Sequence, residues 1–297
     1  MANTERIHKP HIEQLSKKQR RGNVVAYIVL VILSIIWLAP FVALVLQSFR
    51  SYETEFGGMV DYVVPKHFSL DSYTYLFKPE NKFLLWFGNT FVIAFFIAFF
   101  QTLVILCVSY ALSRMRFKGR ELLMKSWLIL GMFPGFLTMI CLYFLLKNFG
   151  LTQEGAIPGL ILITVANCGM KYYVCKGYFD TIPKALDEAA RIDGASRARV
   201  FFTMIIPMGR PIIIYTALEA FMAPWCDYIF ASYIAFGYSD SYNVAVALQR
   251  WVWTNDYQGY FTRFCAGGVL VAIPITILFI ALQRYYVEGV TGGAVKG

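Results

Sequence analysis

Apolar residues in this chain do not alternate with polar ones but run together in long blocks separated by short charged segments. Four blocks, 24–46, 84–112, 126–146 and 264–283, contain no Lys, Arg, Asp or Glu. Each is long enough for a helix crossing a hydrocarbon core about 30 Å thick, which takes roughly 20 residues. A helix is the form this pattern demands, because backbone groups in lipid must be hydrogen-bonded within their own segment. Two further blocks are less clean. The block 155–174 is short unless it continues past Lys171 through Tyr172, Tyr173 and Val174, and 211–236 carries two acids, Glu219 and Asp227. The pattern predicts an all-α polytopic membrane protein with six transmembrane helices.

Composition agrees. Of 297 residues, 58% are hydrophobic and only 15% charged, with a mean hydropathy of +0.55; an ordinary soluble domain carries about 25% charged residues. Soluble, collagenous and disordered classes are excluded. The net charge of +9 would suggest nucleic acid until the charges are placed. About three-quarters of the Lys and Arg residues fall in the N-terminal tail, the 114–125 and 171–210 loops and the C-terminal tail, all on one side of the six spans. The positive charge is therefore a topology signal that puts both termini in the cytoplasm, and nucleic acid drops out as a partner. Lys17, Lys18, Arg20 and Arg21 precede the first block as they would in a secretory signal, but the block is too long and reads as a retained helix. The organisation is then a cytoplasmic tail (1–23), a transmembrane domain (24–283) and a second cytoplasmic tail (284–297) in the cell membrane. The cysteines lie mostly in apolar runs without paired spacing and read as small apolar side chains.

Catalytic motifs are missing from the sequence. It holds no phosphate-cradling G-x-x-x-x-G-K-[ST] loop, no H-E-x-x-H and no C-x-x-C, and His8, His11 and His67 all lie outside the spans. Two G-x-x-x-G matches, Gly131 to Gly135 and Gly155 to Gly159, enclose Pro134 and Pro158; kinked or short helix ends explain them better than dimerisation does.

The informative segment lies between the fourth and fifth spans, at about 180–207. Thr181 or Asp180 can cap a helix opened by Pro183, and Ile182, Ala185, Leu186, Ala189 and Ile192 fall on one helical face opposite Lys184, Asp187, Glu188 and Arg191. Gly194 is placed for a left-handed stop, and Ser196 can cap a second helix running to Pro207. The polar face mixes acids and bases, which suits a protein partner better than a lipid surface.

Glu188-Ala189-Ala190, then Asp193-Gly194-Ala195, Ile205-Ile206-Pro207 and Pro211 resemble the EAA loop of ABC importer permeases. The ending from Gln283 to Gly297 is similar to that of the MalG-like carbohydrate permease subunits, with Met204 and Cys226 as departures from the pattern. The resemblance implies a MetI-like, type I importer permease without catalytic residues of its own. Its partners would be a MalF-like second permease, an ABC ATPase dimer that binds ATP and Mg, and an extracytoplasmic solute-binding protein delivering an oligosaccharide, with maltodextrin the best match. It further implies that Glu188, Ala189, Ala190, Asp193, Gly194, Ala195 and Pro207 couple the spans to the ATPase. No cofactor or metal is expected in this chain.

Intramembrane acids are costly and face a partner or a wet cavity. Glu219 and Asp227, about 80° apart around a helix, could line a sugar path with Trp225 and Tyr228, or bond neighbouring helices. In the 237–263 loop, Trp251, Trp253 and Tyr257 are candidates either for the membrane interface or for contact with the binding protein. The competing class is an ion- or proton-coupled secondary transporter acting alone through Glu219 or Asp227. A membrane enzyme ranks behind both, since no nucleophile and base can be assembled from the sequence.

Overall fold

The computed structural model describes residues 17–51, 64–133, 135–252 and 257–292. Among them the fold is all-α, apart from one isolated bridge between Arg50 and Phe68. Three helices are long, apolar and unbroken: α1 (Lys17–Ser48), α3 (Phe83–Arg114) and α14 (Tyr257–Gly292). The short α2 (Asp71–Leu76) precedes α3 on the outer side.

The three middle spans are not continuous rods. The third is divided between α4 (Arg120–Gly131) and α5 (Gly135–Asn148), the fourth between α6 (Ala156–Ala166) and α7 (Gly169–Thr181). In the second of these the helix stops at Asn167 and Cys168, residues of poor helix propensity followed by a glycine. The turn from α5 into α6 bends by 104°, with Gly150 at φ +67°. The fifth span is α11 (Arg210–Cys226), which ends before Asp227, followed by α12 (Ile229–Ala235). Three unbroken apolar helices and two sharply bent pairs thus stand where six spans were expected.

The glycine pair Gly155 and Gly159 has a local purpose. A Cβ at Gly155 would lie 2.2 Å from the carbonyl oxygen of Gly150, and one at Gly159 would lie 2.1 Å from that of Leu151. Both spacings are impossible for a side chain, so the motif lets the α5–α6 turn fold back against its own helix.

The loop that follows α7 comprises α8 (Lys184–Ile192), α9 (Arg197–Val200), a π-helical segment (Phe201–Ile205) and α10 (Ile206–Met208), which leads into α11. Between α12 and α14 lies α13 (Val244–Val252). The bundle is built around α3, which packs on α11, α7 and α6, while α11 and α13 also pack on α14. Two apolar clusters fill it. One gathers Phe83, Trp86, Ile97, Trp225, Leu248 and Trp251 toward the outer end of α3. The other joins Ile105, Leu106, Tyr172, Phe179, Phe201 and Ile205 toward its cytoplasmic end. Each fully buried large apolar side chain contributes about 1.5–3 kcal/mol, so the second cluster holds the cytoplasmic loop firmly on the bundle. By contrast α1 touches mainly α14, and its apolar residues point outward, Trp37 being 76% exposed. An apolar surface of that extent requires lipid or another protein.

Candidate functional site: the cytoplasmic loop and the intramembrane acids

The loop folds as a helix, a glycine stop and a second helix. α8 closes with the amide of Ala195 donating to the Ala190 carbonyl at 2.9 Å and that of Gly194 to the Arg191 carbonyl at 3.1 Å. Gly194 at φ +84° provides the left-handed residue this closure needs. The Ser196 hydroxyl then accepts the Arg199 amide at 3.2 Å, as a cap for α9 should. The other end departs from expectation. Pro183, not a capping side chain, precedes α8, because both sequence candidates lie at the end of α7 and are bonded elsewhere. The Thr181 hydroxyl donates to the Tyr178 carbonyl, and the Asp180 carboxylate accepts from Ser113 at 2.6 Å and from Lys176. Burial pushes the pKa of Asp180 up but is outweighed by the hydrogen bonds from Lys176 and Ser113 and the charges of Lys176 and Lys184, so its carboxyl is held below the usual value.

The orientation of α8 inverts the rule for a surface helix. Ala185, Leu186, Ala189 and Ile192 are exposed, Ile192 to 86%, whereas the half-buried side carries Asp187 and Ala190. Asp187 reaches Arg114 at the end of α3, Oδ2 to Nε 2.8 Å, and Arg114 also donates through Nη2 to the Ile182 carbonyl at 2.9 Å. Glu188, Ala189, Asp193 and Gly194 are exposed, Ala190 and Ala195 half-buried, and Pro207 lies exposed in α10, after the π-helical segment whose Phe201 and Ile205 are buried. Tyr110 anchors the loop from the bundle, its ring 4.7 Å from that of Phe201 and its hydroxyl donating to the Arg197 carbonyl.

The intramembrane acids are not brought together. Glu219 lies on α11 and pairs with Lys171 of α7, Oε1 to Nζ 3.1 Å; the same Nζ donates to Gln101 of α3 at 3.1 Å. Gln101 in turn donates to the Thr164 carbonyl at 2.6 Å, just before the α6–α7 break. Asp227 sits beyond the end of α11, so the 80° helical relation to Glu219 does not apply. Its Oδ1 accepts the Phe230 amide at 3.1 Å, and its carboxylate borders a cavity of about 130 Å³ shared with Thr164 and Asn243. Asn243 clamps the break by donating to the Pro224 and Asp227 carbonyls at 3.1 and 2.7 Å. Trp225 is only 2% exposed, packed against Phe87 and Phe221, and Tyr228 is half-buried beside the same cluster. A path-lining indole needs an open face, and Trp225 has none in this arrangement.

Of the outer aromatics, Trp251 is 9% exposed and packs against Tyr75, Phe83 and Trp86. It is part of the core, since the amphipathic α13 turns its apolar side inward. Trp253 lies outside the described residues, and Tyr257 opens α14.

Residues 104–292 match the family model described as "Binding-protein-dependent transport system inner membrane component". The chain belongs to this family. The match covers everything from the inner third of α3 through the loop to α14, so the geometry above is that of a transport permease held in a membrane. Among curated relatives, the galactooligosaccharides transport system permease protein GanQ of Bacillus subtilis strain 168 is 37% identical over 239 residues, 79% of this chain and 83% of its own. The maltodextrin transport system permease protein MdxG of the same organism is 33% identical over 281 residues, 93% of this chain and 97% of its own. A chain from the crystal structure of a bacterial ABC transporter that imports the acidic polysaccharide alginate superposes with a TM-score of 0.77 at 21% identity, over 92% of this permease and 99% of that chain. Family membership, together with the engagement of Glu219 by Lys171, weighs against a proton-coupled carrier acting alone.

Three contributors escaped the sequence reading. Lys171 was assigned to the cytoplasmic loop; the Asn167-Cys168-Gly169 break before it is the signal that a new helix begins there. Gln101, like Asn89, is a strongly polar side chain within a predominantly apolar span. Arg114 looked like one more span-flanking base, and nothing in the local pattern marks it as the partner of Asp187.

Proposed function

We propose that this permease is the membrane-spanning, non-catalytic subunit of an ATP-driven importer for oligosaccharides, with α8 as its docking element for a separate ATPase that binds ATP and Mg. The observation that carries this reading is the outward apolar face of α8, braced from behind by the Arg114–Asp187 pair. A helix so turned offers Ala185, Leu186, Ala189 and Ile192 to a cleft in another protein, with Glu188 and Asp193 at its edges for charged contacts. Closure of an ATPase dimer could then move α8 as a rigid lever on α3 and the Phe201–Ile205 segment, giving the two-state element that transport requires. A second, MalF-like permease would cover apolar surface such as that of α1, and an extracytoplasmic binding protein would deliver the sugar. The extent of the match to the maltodextrin permease supports maltodextrin as the substrate, with galactooligosaccharide as the competing one.

The test is ATP-dependent uptake of labelled maltodextrin into proteoliposomes holding the four components, comparing wild type with Glu188→Lys, Leu186→Lys and Gly194→Pro. Truncating or repelling an interface anchor costs about 2 kcal/mol, so each variant should lose roughly 30-fold in ATPase co-purification, and uptake should fall with it. Unchanged co-purification and uptake would remove α8 from the coupling interface. Uptake of galactooligosaccharide in preference to maltodextrin would reassign the substrate.

A further inference from the structure

Behind α8, on the side away from the proposed ATPase, lies a cavity of about 450 Å³. Arg114, Arg116, Arg120, Lys184, Arg191 and Arg197 line it. Against these six cations stand two carboxylates, Asp187 and Glu188, the first already paired with Arg114. The Arg114 side chain is 6% exposed, and its Nη1, like the Nε of Arg120, is buried without a hydrogen-bond partner. A buried donor left unmatched is destabilising, and a cluster of guanidinium groups with surplus charge calls for a multidentate anion; phosphate is the anion whose geometry a guanidinium fork fits.

A second depression, of about 580 Å³, opens beside the first and shares Arg116 and Arg120 with it. It adds Lys125 and the acid Glu121, whose charges offset, together with the exposed apolar side chains Phe117 and Leu122, so its surplus cations are the shared Arg116 and Arg120. From Leu122 the exposed apolar surface continues along α4 through Ile129 and Leu130 into the membrane-spanning part of the chain. Cationic groups at the cytoplasmic end of a span, continuous with an apolar surface leading into the hydrocarbon, match the two parts of a phospholipid. A soluble phosphate would leave the apolar half of this surface unused.

We propose that the end of α3, the 115–119 turn and the α8–α9 loop together form a binding site for the phosphate headgroup of an anionic phospholipid of the inner leaflet. The headgroup contacts Arg116 and Arg120, its phosphate draws on the Arg197 and Arg191 side of the cavity, and its acyl chains lie along α4. Because Arg114 joins this cavity to Asp187, the lipid is a structural neighbour of the coupling helix.

The test uses the full chain with the subunits that co-purify, extracted from membranes and exchanged into a non-ionic detergent, with retained phospholipid identified by native mass spectrometry. Samples are re-supplied with phosphatidylglycerol or phosphatidylcholine. Wild type should retain phosphatidylglycerol selectively. Arg116→Gln/Arg120→Gln should weaken retention roughly 30-fold, from about 1 kcal/mol for each basic residue near the surface. The control Arg210→Gln/Arg284→Gln removes the same charge from the cytoplasmic side at exposed positions that line neither cavity, and should hold the lipid as wild type does. Monodisperse elution of both variants establishes that they are folded. Equal retention of the two lipids, or equal loss in the control, overturns the site in favour of diffuse surface attraction. Displacement by inorganic phosphate, but not by chloride at equal ionic strength, overturns the lipid and assigns the cavity to a soluble anion.

Discussion

Glu219 illustrates how a single costly residue is made tolerable. A carboxylate within a span must meet a cation or a wet cavity, and here Lys171 supplies the cation while Gln101 holds the ammonium in place. Removing one partner should therefore hurt more than removing both. Glu219→Ala and Lys171→Ala are each expected to cost about 1–3 kcal/mol by leaving a polar group unmatched, whereas Glu219→Leu/Lys171→Met should unfold no earlier than either; thermal unfolding in detergent checks this, and strictly additive losses would contradict it. Gly159 makes a sterically sharper case. The atom its Cβ would strike is a backbone carbonyl that cannot rotate away, so Gly159→Ala should cost about 1–3 kcal/mol in the same assay, while Gly135→Ala, with open space around it, should be near neutral. Asp180 adds a pH dependence. Its folded carboxyl titrates below the ordinary value of 3.8, so its stabilisation is fully present above that value and is lost as the pH falls through the folded one. The Tm deficit of Asp180→Asn should accordingly be constant near neutrality and shrink as the pH drops below about 4.

At the scale of the element, α8 shows what a linear pattern reveals and what it hides. The helix, its glycine stop and the Ser196 cap were all legible, because each depends on residues within one turn of one another. The cap at the start was not, since Asp180 is claimed by Ser113 from a helix some seventy residues earlier in the chain, and local spacing carries no record of that. The broken spans have the same origin. The Asn167-Cys168-Gly169 run and Asp227 stand in the sequence, but that a helix ends at each depends on distant neighbours, as where Asn243 donates to the Asp227 carbonyl. The pairing of Asp187 with Arg114 gives α8 its stiffness, which a lever needs. Asp187→Asn should leave α8 formed but less firmly held, lowering amide-exchange protection of residues 185–192 roughly tenfold, the equivalent of about 1.4 kcal/mol. Unaltered protection would mean that the Phe201–Ile205 anchor alone holds the loop.

For the molecule as a whole, the distribution of charge and of apolar surface fixes how it sits in the bilayer. The inner end of α3 and the α8–α9 loop are set among arginines and lysines, while the outer end of α3 meets the α12–α13 connection through the Lys82–Asp240 ion pair at 2.6 Å and through hydrogen bonds donated by Trp86 to the Ser239 carbonyl and by Asn89 to those of Asp240 and Tyr242. Arginine and lysine on one side resist translocation, so the basic surface must be cytoplasmic and the Lys82–Asp240 region outside. The membrane assignment rests on surface that water could not tolerate; the orientation rests on charge alone, and a labelling experiment separates the two. Cys107, Cys141 and Cys226 are the exposed native thiols among the described residues and would first be replaced. In that background, Asp240→Cys should react with a membrane-impermeant maleimide in right-side-out vesicles, and Lys118→Cys should react only after permeabilisation. The reverse labelling would turn the whole assembly over and place α8 where no cytoplasmic ATPase could reach it. Labelling of both positions before permeabilisation would break the topology itself, since 118 and 240 lie on opposite sides only if the bent middle helices together make an odd number of crossings, as the three expected spans do.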